Sequence, residues 1–253
     1  MKYPKFLYGL YENLTARKLI ESSVPRHVGV ILDGNRRWAK SFGEPAAHGH
    51  QRGAAKIEDF LRWSEEFGVE VVTLWMLSTD NLRRESTELT ALFDIIEDAV
   101  RHLANTKRWR LRVVGQLDLL PDKLSLNLRE LQAQTANVKG LEVNVAIGYG
   151  GRHEIADAVK DLMTEYELEG KTLHQAIDAI SVESIGAHLY TKGQPDPELL
   201  IRTSGEQRLG GFLLWQSAHS EFYFCEAFWP DFRRVDYLRA IRAYGLRERR
   251  QGR

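Results

Sequence analysis

A carboxylate, a glycine and two guanidinium groups stand together in the first polar segment that follows an apolar strand. The segment reads Asp33-Gly34-Asn35-Arg36-Arg37-Trp38 and lies where a helix is expected to begin. A helix N-terminus with adjacent arginines suits a diphosphate group. Asp33 suits Mg²⁺, which takes one or two carboxylates and completes its shell with phosphates and water. A lone Asp-Gly pair would indicate only a turn, so the interpretation depends on further clusters.

Three more polar clusters lie next to predicted strands. The second reads Ser78-Thr79-Asp80-Asn81-Leu82-Arg83-Arg84. In the third, Arg202 and Arg208 could clamp a second diphosphate, although Glu206 could instead hold them in surface salt bridges. In the fourth, Glu221 begins an apolar strand, where a carboxylate needs a partner or a metal ion.

The spacing of apolar residues indicates the strands and helices that must position these clusters. Short β-rich runs alternate with stretches of helical spacing. This alternation predicts an α/β fold, a single domain with a mostly parallel central sheet flanked by helices. In such sheets ligands bind at the carboxyl ends of the strands. The predicted strands cover residues 28–32, 69–77, 111–115, 141–147, 199–202 and 222–225.

The composition of the chain disfavours a nucleic-acid-binding protein and a membrane-spanning protein. The chain has 253 residues, with 35 Lys and Arg against 35 Asp and Glu, so no global charge excess favours nucleic acid. The single cysteine, Cys225, cannot form an internal disulfide, which suggests a reducing cytoplasm. No signal peptide and no run of roughly 20 apolar residues is evident. We expect a soluble cytoplasmic protein with at most peripheral contact with the inner face of the membrane.

An N-terminal arm is expected to precede the main domain. Leu7, Leu10, Tyr11 and Leu14 share one helical face in residues 1–24. Packing onto the same domain or onto a second subunit is favoured over membrane docking. Residues 25–253 are expected to form the catalytic domain.

The four clusters, in this order, resemble those of the cis-prenyltransferases, the undecaprenyl diphosphate synthase family, from about Pro25 to the C-terminus. Trans-prenyltransferases, by contrast, resemble helical bundles with paired Asp-rich motifs. The flanking runs agree with the resemblance: Gly49-His50 with Gly53-Ala54, Gly148-Tyr149-Gly150-Gly151-Arg152, Phe212-Leu213-Leu214-Trp215-Gln216 and Phe228-Trp229-Pro230-Asp231-Phe232.

The resemblance implies an undecaprenyl diphosphate synthase-like fold and a Mg²⁺-dependent condensation of isopentenyl diphosphate with an allylic diphosphate, geranyl or farnesyl. Asp33 and Glu221 would be the metal ligands, and Asp33 and Asn81 the catalytic residues. Arg250-Gln251-Gly252 resembles a tail that reaches a partner subunit's site, which implies a homodimer. The allylic diphosphate would be held by Gly34, Asn35, Arg36, Arg37, His50 and Arg84. Isopentenyl diphosphate would be held by Arg202, Arg208, Leu209 and Gly210, with further substrate contacts from Trp38, Ser78, Thr79 and Asp80.

Two departures from the family pattern bear on the substrate. Ala46 stands where long-chain members usually carry an arginine, four residues before His50. Met76 stands where they tend to have a small residue. Side chains at i and i+2 share a strand face, so Met76 is expected on the same side as Ser78 and about 6.6 Å deeper. We interpret Met76 as a plug that limits chain length and favours a short Z-prenyl product such as Z,E-farnesyl diphosphate; core filling is the alternative.

Three other functions are compatible with parts of the pattern. A long-chain polyprenyl diphosphate synthase would share the same catalytic residues. A non-catalytic prenyltransferase subunit would usually lack the metal-binding aspartate, so Asp33, Arg37 and Glu221 argue against it. A nucleotide-binding protein would need a glycine-rich loop after the first strand or a Walker A loop, and neither is evident.

Overall fold

The structure is a computed structural model that describes residues 24–247. All but the last residue of the predicted arm (1–24) therefore lies outside the described residues, and so does the predicted tail at Arg250-Gln251-Gly252. Among the described residues, none of the helices is both long enough and apolar enough to span a bilayer.

A six-stranded sheet forms the centre of the domain, and every pairing between neighbouring strands is parallel. All six predicted strands are present, so the predicted parallel sheet is confirmed. Their order across the sheet is β3-β4-β2-β1-β5-β6. The strands are β1 His27–Ile31, β2 Val71–Ser78, β3 Arg110–Val114, β4 Glu142–Tyr149, β5 Leu199–Arg202 and β6 Glu221–Phe224.

Helices cover both faces of this sheet, as the alternating pattern predicts. Short 3-10 turns also occur, including Thr79–Arg83 directly after β2. The helices in the described part of the chain are α1 Asn35–Ser41, α2 Ala46–Glu66, α3 Ser86–Asn105, α4 Asp122–Thr135, α5 Gly151–Leu168, α6 Leu173–Asp178, α7 Val182–Gly186 and α8 Arg234–Leu246.

The core lies on both faces because strand side chains alternate in direction. On one face Val28, Val30 and Leu74 pack with apolar residues of α2, α3, α4 and α8. On the other face Ile31 and Ala146 belong to a second cluster with aromatic residues. The sheet is therefore buried between two layers, as expected for a parallel sheet.

The strand order brings three polar clusters together. β1 lies between β2 and β5, and Ile31 at its end is level with both Trp75 and Arg202. The segments that follow these three strands consequently emerge side by side at the carboxyl edge. Glu221 is instead level with Leu199, the first residue of β5, which places it at the amino edge.

Strand β2 is irregular near its end. Trp75 is level with Ala146 and Leu77 with Ile147, so Met76 has no matching residue on β4. Such a bulge breaks the alternation of side chains along a strand. Met76 and Leu77 accordingly both pack on the face that carries Val28, whereas Trp75 packs on the other face. Trp75 and Met76 nevertheless border the same cavity at the strand end.

Candidate active site

A cavity of about 920 Å³ opens at the carboxyl ends of β1, β2 and β5. Its wall combines most of the sequence-predicted site residues with several that were not predicted. The predicted residues on the wall are Asp33, Gly34, Asn35, Arg36, Arg37, His50, Met76, Ser78, Asp80, Asn81, Arg84, Arg202, Arg208 and Gly210.

Asp33 is the central carboxylate of this cavity. Its Oδ2 accepts a hydrogen bond from Arg202 Nη2 at 2.8 Å, and its Oδ1 accepts one from Arg37 Nη2 at 3.2 Å. Thr203 fixes its backbone by accepting from Asp33 N at 2.9 Å and donating to Asp33 O at 2.7 Å. Partial burial raises the pKa of Asp33, but the hydrogen bond and charge of Arg202 and the charge of Arg37 together lower it. The carboxylate is therefore held ionised.

Arg202 lies at the end of β5 and is almost buried, with 8% of its surface exposed. Besides Asp33, it donates through Nη1 to the carbonyl oxygen of Arg208. This bond folds the segment after β5 back over the strand end. Arg208 itself is exposed and lies 3.3 Å from Glu206, so the predicted clamp consists of one buried and one exposed guanidinium.

A second pair of guanidinium groups faces the cavity from the side of α3. Arg36 Nε and Arg84 Nη1 lie 3.4 Å and 3.2 Å from the same oxygen of Glu88. One carboxylate therefore neutralises two cations and holds them close together. Such a pair of arginines can bind the oxygens of a phosphate bidentately.

His50 lies beside these arginines on α2. Its Nε2 atom is buried and has no hydrogen-bond partner among the described residues. Burial, followed by the charges of Arg84 and Arg36, lowers the pKa of His50 to about 4. The neutral imidazole thus presents a polar atom that an anionic ligand could satisfy by accepting its proton in a hydrogen bond.

Two glycines of α2 allow α1 to approach closely. A Cβ atom at Gly49 would lie 2.8 Å from the carbonyl carbon of Asn35, and one at Gly53 would lie 3.0 Å from Asn35 Cγ. Gly34 has φ of 103°, and a Cβ there would meet the Phe228 ring at 2.6 Å. The glycines of the Gly49-His50 and Gly53-Ala54 runs therefore set the depth of the cavity wall formed by α1.

Ser78 and Asn81 stabilise the turn that follows β2. Ser78 Oγ accepts from Asn81 N at 3.1 Å, and Asn81 Oδ1 accepts from Ser78 N at 3.5 Å, which is a capping box. Both residues still line the cavity. Met76 also lines it and is partly buried against the core. Met76 and Ser78 therefore border the same cavity, and the role of Met76 as a plug stays a prediction.

A buried polar pair supports the opposite wall. Tyr149 donates to Glu154, and Tyr149 Oη accepts from Leu213 N at 3.2 Å. Gln216 donates to Glu154 at 2.9 Å. These bonds tie the Gly148–Arg152 and Phe212–Gln216 runs together, so both motifs build the support for the segment that carries Arg208.

Four predicted site residues lie elsewhere. Trp38 is buried with its ring 4.8 Å from that of Phe42, and Thr79 and Leu209 are also off the cavity wall. Glu221 is paired with Arg247 at the amino edge of the sheet. Within one chain, strand register therefore places Glu221 and Asp33 at opposite edges of the sheet, and the assignment of Glu221 as a second metal ligand stays a prediction.

Other wall residues escaped the sequence analysis. Trp75 stacks on Phe212 with 5.1 Å between ring centroids, and Lys40 and Glu44 form the rim beyond α1. Glu88 lies behind the wall and organises it. The spacing of Arg36 and Lys40 at i and i+4 was the available signal for Lys40.

Asp33 is the residue that fits a magnesium ion. Within residues 24–247 no group of three His, Cys, Asp or Glu side chains could hold a metal by itself. A single ionised carboxylate beside a diphosphate pocket is nevertheless sufficient for Mg²⁺, which completes its shell with phosphate oxygens and water. The donor set therefore fits a metal that arrives with its substrate.

Comparisons with known proteins show relatives of high sequence identity along nearly the whole chain. The chain is 57% identical over 247 residues to (2Z,6E)-farnesyl diphosphate synthase of Thermobifida fusca, covering 97% of each chain. It is 54% identical over 248 residues to isoprenyl transferase 1 of Streptomyces avermitilis, covering 98% of this chain and 96% of the relative.

A solved structure shares the fold. Lavandulyl diphosphate synthase from Lavandula x intermedia, in complex with dimethylallyl diphosphate, superposes with a TM-score of 0.82 at 33% identity. The match covers 89% of this chain and 97% of that one. The family model described as "Putative undecaprenyl diphosphate synthase" matches residues 31–252. The chain is thus a prenyltransferase and belongs to the undecaprenyl diphosphate synthase family.

Proposed function

We propose that this protein condenses isopentenyl diphosphate with a short allylic diphosphate, geranyl or farnesyl, to give a short-chain Z-prenyl diphosphate such as (2Z,6E)-farnesyl diphosphate. The observation that supports it best is the arrangement around Asp33, where two separate guanidinium sets face one cavity. A reaction between two diphosphates needs two anion sites next to each other. The relatives named (2Z,6E)-farnesyl diphosphate synthase support the short product.

We assign the two sites from the resemblance to the family, and the positions of the guanidinium groups support the assignment. Arg36, Arg84 and neutral His50 hold the allylic diphosphate, and Arg37 lies between this side and Asp33. Arg202 and Arg208, with the backbone at Gly210, hold isopentenyl diphosphate. Positive groups fixed around the leaving diphosphate stabilise the negative charge that develops as it departs, which is commonly a large catalytic contribution.

The reaction breaks the allylic C1–O bond and forms a bond from C1 to C4 of isopentenyl diphosphate. A proton is then lost from C2 of the isopentenyl unit, and diphosphate is released. Mg²⁺ bound at Asp33 would neutralise charge on the phosphates. Ser78 and Asn81 lie on the wall near the reacting carbons and position the isopentenyl unit through the turn that they cap.

Product length is assigned to the wall around Met76. The side chain is partly buried against the core and borders the cavity. A methionine at this position fills space that a growing chain would need. A long-chain synthase would require this space to be open.

Product analysis tests the proposal. Purified protein is incubated with labelled isopentenyl diphosphate, Mg²⁺ and geranyl or farnesyl diphosphate, and product length and double-bond geometry are determined by chromatography. A short Z product is expected. A long polyprenyl ladder would contradict the chain-length assignment, and the absence of product with every primer would overturn catalysis.

Asp33→Ala tests the catalytic assignment. We expect turnover to fall by at least about 100-fold, because the carboxylate beside the reacting diphosphates is lost. Asp94→Ala, which removes an exposed carboxylate of α3, serves as the charge-matched control. Circular dichroism monitors folding, and Asp33→Asn provides a second variant if the unpaired Arg202 destabilises the first. Near wild-type turnover in folded Asp33 variants would contradict the assignment.

We also propose that the protein is a cytoplasmic homodimer, and fewer observations support this proposal. A homodimer is supported by strand β6, which is an edge strand with stacked rings of Phe222 and Phe224, their centroids 6.4 Å apart. Light scattering of the purified full-length chain tests the homodimer.

The single cysteine, which is buried, is compatible with the cytoplasm. The division into an arm (1–24) and a catalytic domain (25–253) remains part of the proposal.

A further inference from the structure

Lys40 is a cation of the cavity wall to which the proposed reaction gives no role. The other cationic side chains on the wall each have a carboxylate within 4 Å. Within residues 24–247 Lys40 has no such partner, and its side chain is exposed. The cations on the wall are Arg36, Arg37, Lys40, Arg84, Arg202 and Arg208.

The position of Lys40 on α1 directs its side chain between those of Arg36 and Arg37. At about 100° per residue, Lys40 is rotated about 40° from Arg36 and about 60° from Arg37. It lies about 6 Å further along the axis than Arg36, by a rise of about 1.5 Å per residue. Arg36 turns toward Glu88, whereas Arg37 turns toward Asp33 and Glu206 at 3.1 Å. Lys40 therefore projects between these directions, at the outer end of the cavity.

Charge pairing distinguishes Lys40 from its neighbours. A diphosphate that binds Arg36 or Arg84 competes with Glu88, and one that binds Arg37 competes with Asp33 and Glu206. The Lys40 ammonium group has no carboxylate partner, so no carboxylate competes with a phosphate for it. Its flexible four-carbon stem also lets the charge follow a phosphate group. Lys40 is thus the cation on the wall that is most available to an incoming anion.

We propose that Lys40 binds the terminal phosphate of the allylic diphosphate, outside the arginines that hold the inner phosphate. The proposal rests on the proposed function for the identity of the substrate. It assigns Lys40 to the allylic side because Arg36, one helical turn below, faces Arg84 and Glu88 there. Glu44, on the same rim, disfavours a second anion at that position and so limits the site to one diphosphate.

Steady-state kinetics and pyrophosphate binding test this role. For Lys40→Ala we expect the KM for geranyl diphosphate to rise about fivefold, the size of a partly exposed charged contact. The KM for isopentenyl diphosphate and kcat should stay within about twofold. The dissociation constant for inorganic pyrophosphate, measured by titration calorimetry without turnover, should rise by a similar factor.

Two variants serve as controls. Lys123→Ala removes an exposed positive charge from α4, away from the cavity, and should leave all constants unchanged. Lys40→Arg keeps the charge and should stay within about twofold of the wild type. Equal effects of Lys40→Ala and Lys123→Ala would overturn the proposal, as would a rise in the KM for isopentenyl diphosphate alone. If the wild type makes no prenyl product, the proposed function fails, whereas pyrophosphate binding still tests Lys40.

Discussion

At the scale of single residues, Met76 is the side chain that we propose limits product length. It borders the cavity while packing against the core, so truncation opens space that is continuous with the site. We expect Met76→Ala to shift the products toward longer Z-prenyl chains, because elongation no longer meets the methionine. Chromatography of the labelled products from geranyl diphosphate measures the shift.

A methionine elsewhere in the fold provides the control. Met163 on α5 is partly buried against a separate small cluster. Met163→Ala should leave the product distribution unchanged while costing a comparable amount of stability. An unaltered distribution for Met76→Ala would return that residue to a core-filling role and leave the short product supported only by the relatives.

At the scale of elements, the close approach of α1 and α2 holds Arg36 and Arg37 in place at the cavity. We expect Gly49→Ala to destabilise the protein by about 1–3 kcal/mol, because the added methyl group must push α1 away. The KM for the allylic substrate should rise as well, since Arg36 and Arg37 move with α1. Urea unfolding and steady-state kinetics measure the two effects.

Gly186→Ala is the matched substitution for this test. Gly186 ends the helix α7, and a Cβ there would meet Trp215 at 4.0 Å, an ordinary contact. Alanine in a helix is favoured over glycine, so this variant should be neutral or slightly more stable. Equal stability of the two variants would show that α1 yields easily and that the glycine does not set its position.

At the scale of the whole molecule, a buried histidine makes stability depend on pH. His27 is fully buried, with hydrogen bonds to the Pro195 carbonyl at 2.7 Å and Thr73 Oγ1 at 2.8 Å. Burial lowers the pKa of His27 to about 4, although the bond to Pro195 opposes the shift. Unfolding therefore takes up a proton between the unfolded-state pKa, about 6.5, and the folded-state value.

Because the unfolded chain binds this proton more tightly, acid destabilises the folded protein. The contribution of His27 to stability is present above pH 6.5 and is lost as the pH falls toward 4, and burial of His50 acts in the same direction. We expect His27 alone to reduce the free energy of unfolding by about 2 kcal/mol between pH 7.5 and 5. Urea unfolding at several pH values measures the slope. His27→Gln should flatten it, His174→Gln on the exposed face of α6 should not, and equal slopes in all three proteins would contradict the expectation.

The alternation of strands and helices, and the polar residues that end three of the strands, were readable in the sequence. They were enough to predict the parallel sheet and to gather Asp33, Arg37, Ser78, Arg84 and Arg202 at one edge, because local periodicity reports which side chains are buried. Strand order and register are long-range properties that local patterns do not encode. They placed Glu221 at the opposite edge from Asp33.

Tertiary packing also decided the fine structure of the site. A bulge opposite β4 placed Met76 and Leu77 on one face of the sheet, and α3 supplied Glu88 to hold Arg36 and Arg84 together. The sequence alone determined the fold class and the chemistry of the side chains. Only the folded chain decided which cations are already paired and which remains available to a substrate, because ion pairing depends on distances between segments that are far apart along the chain.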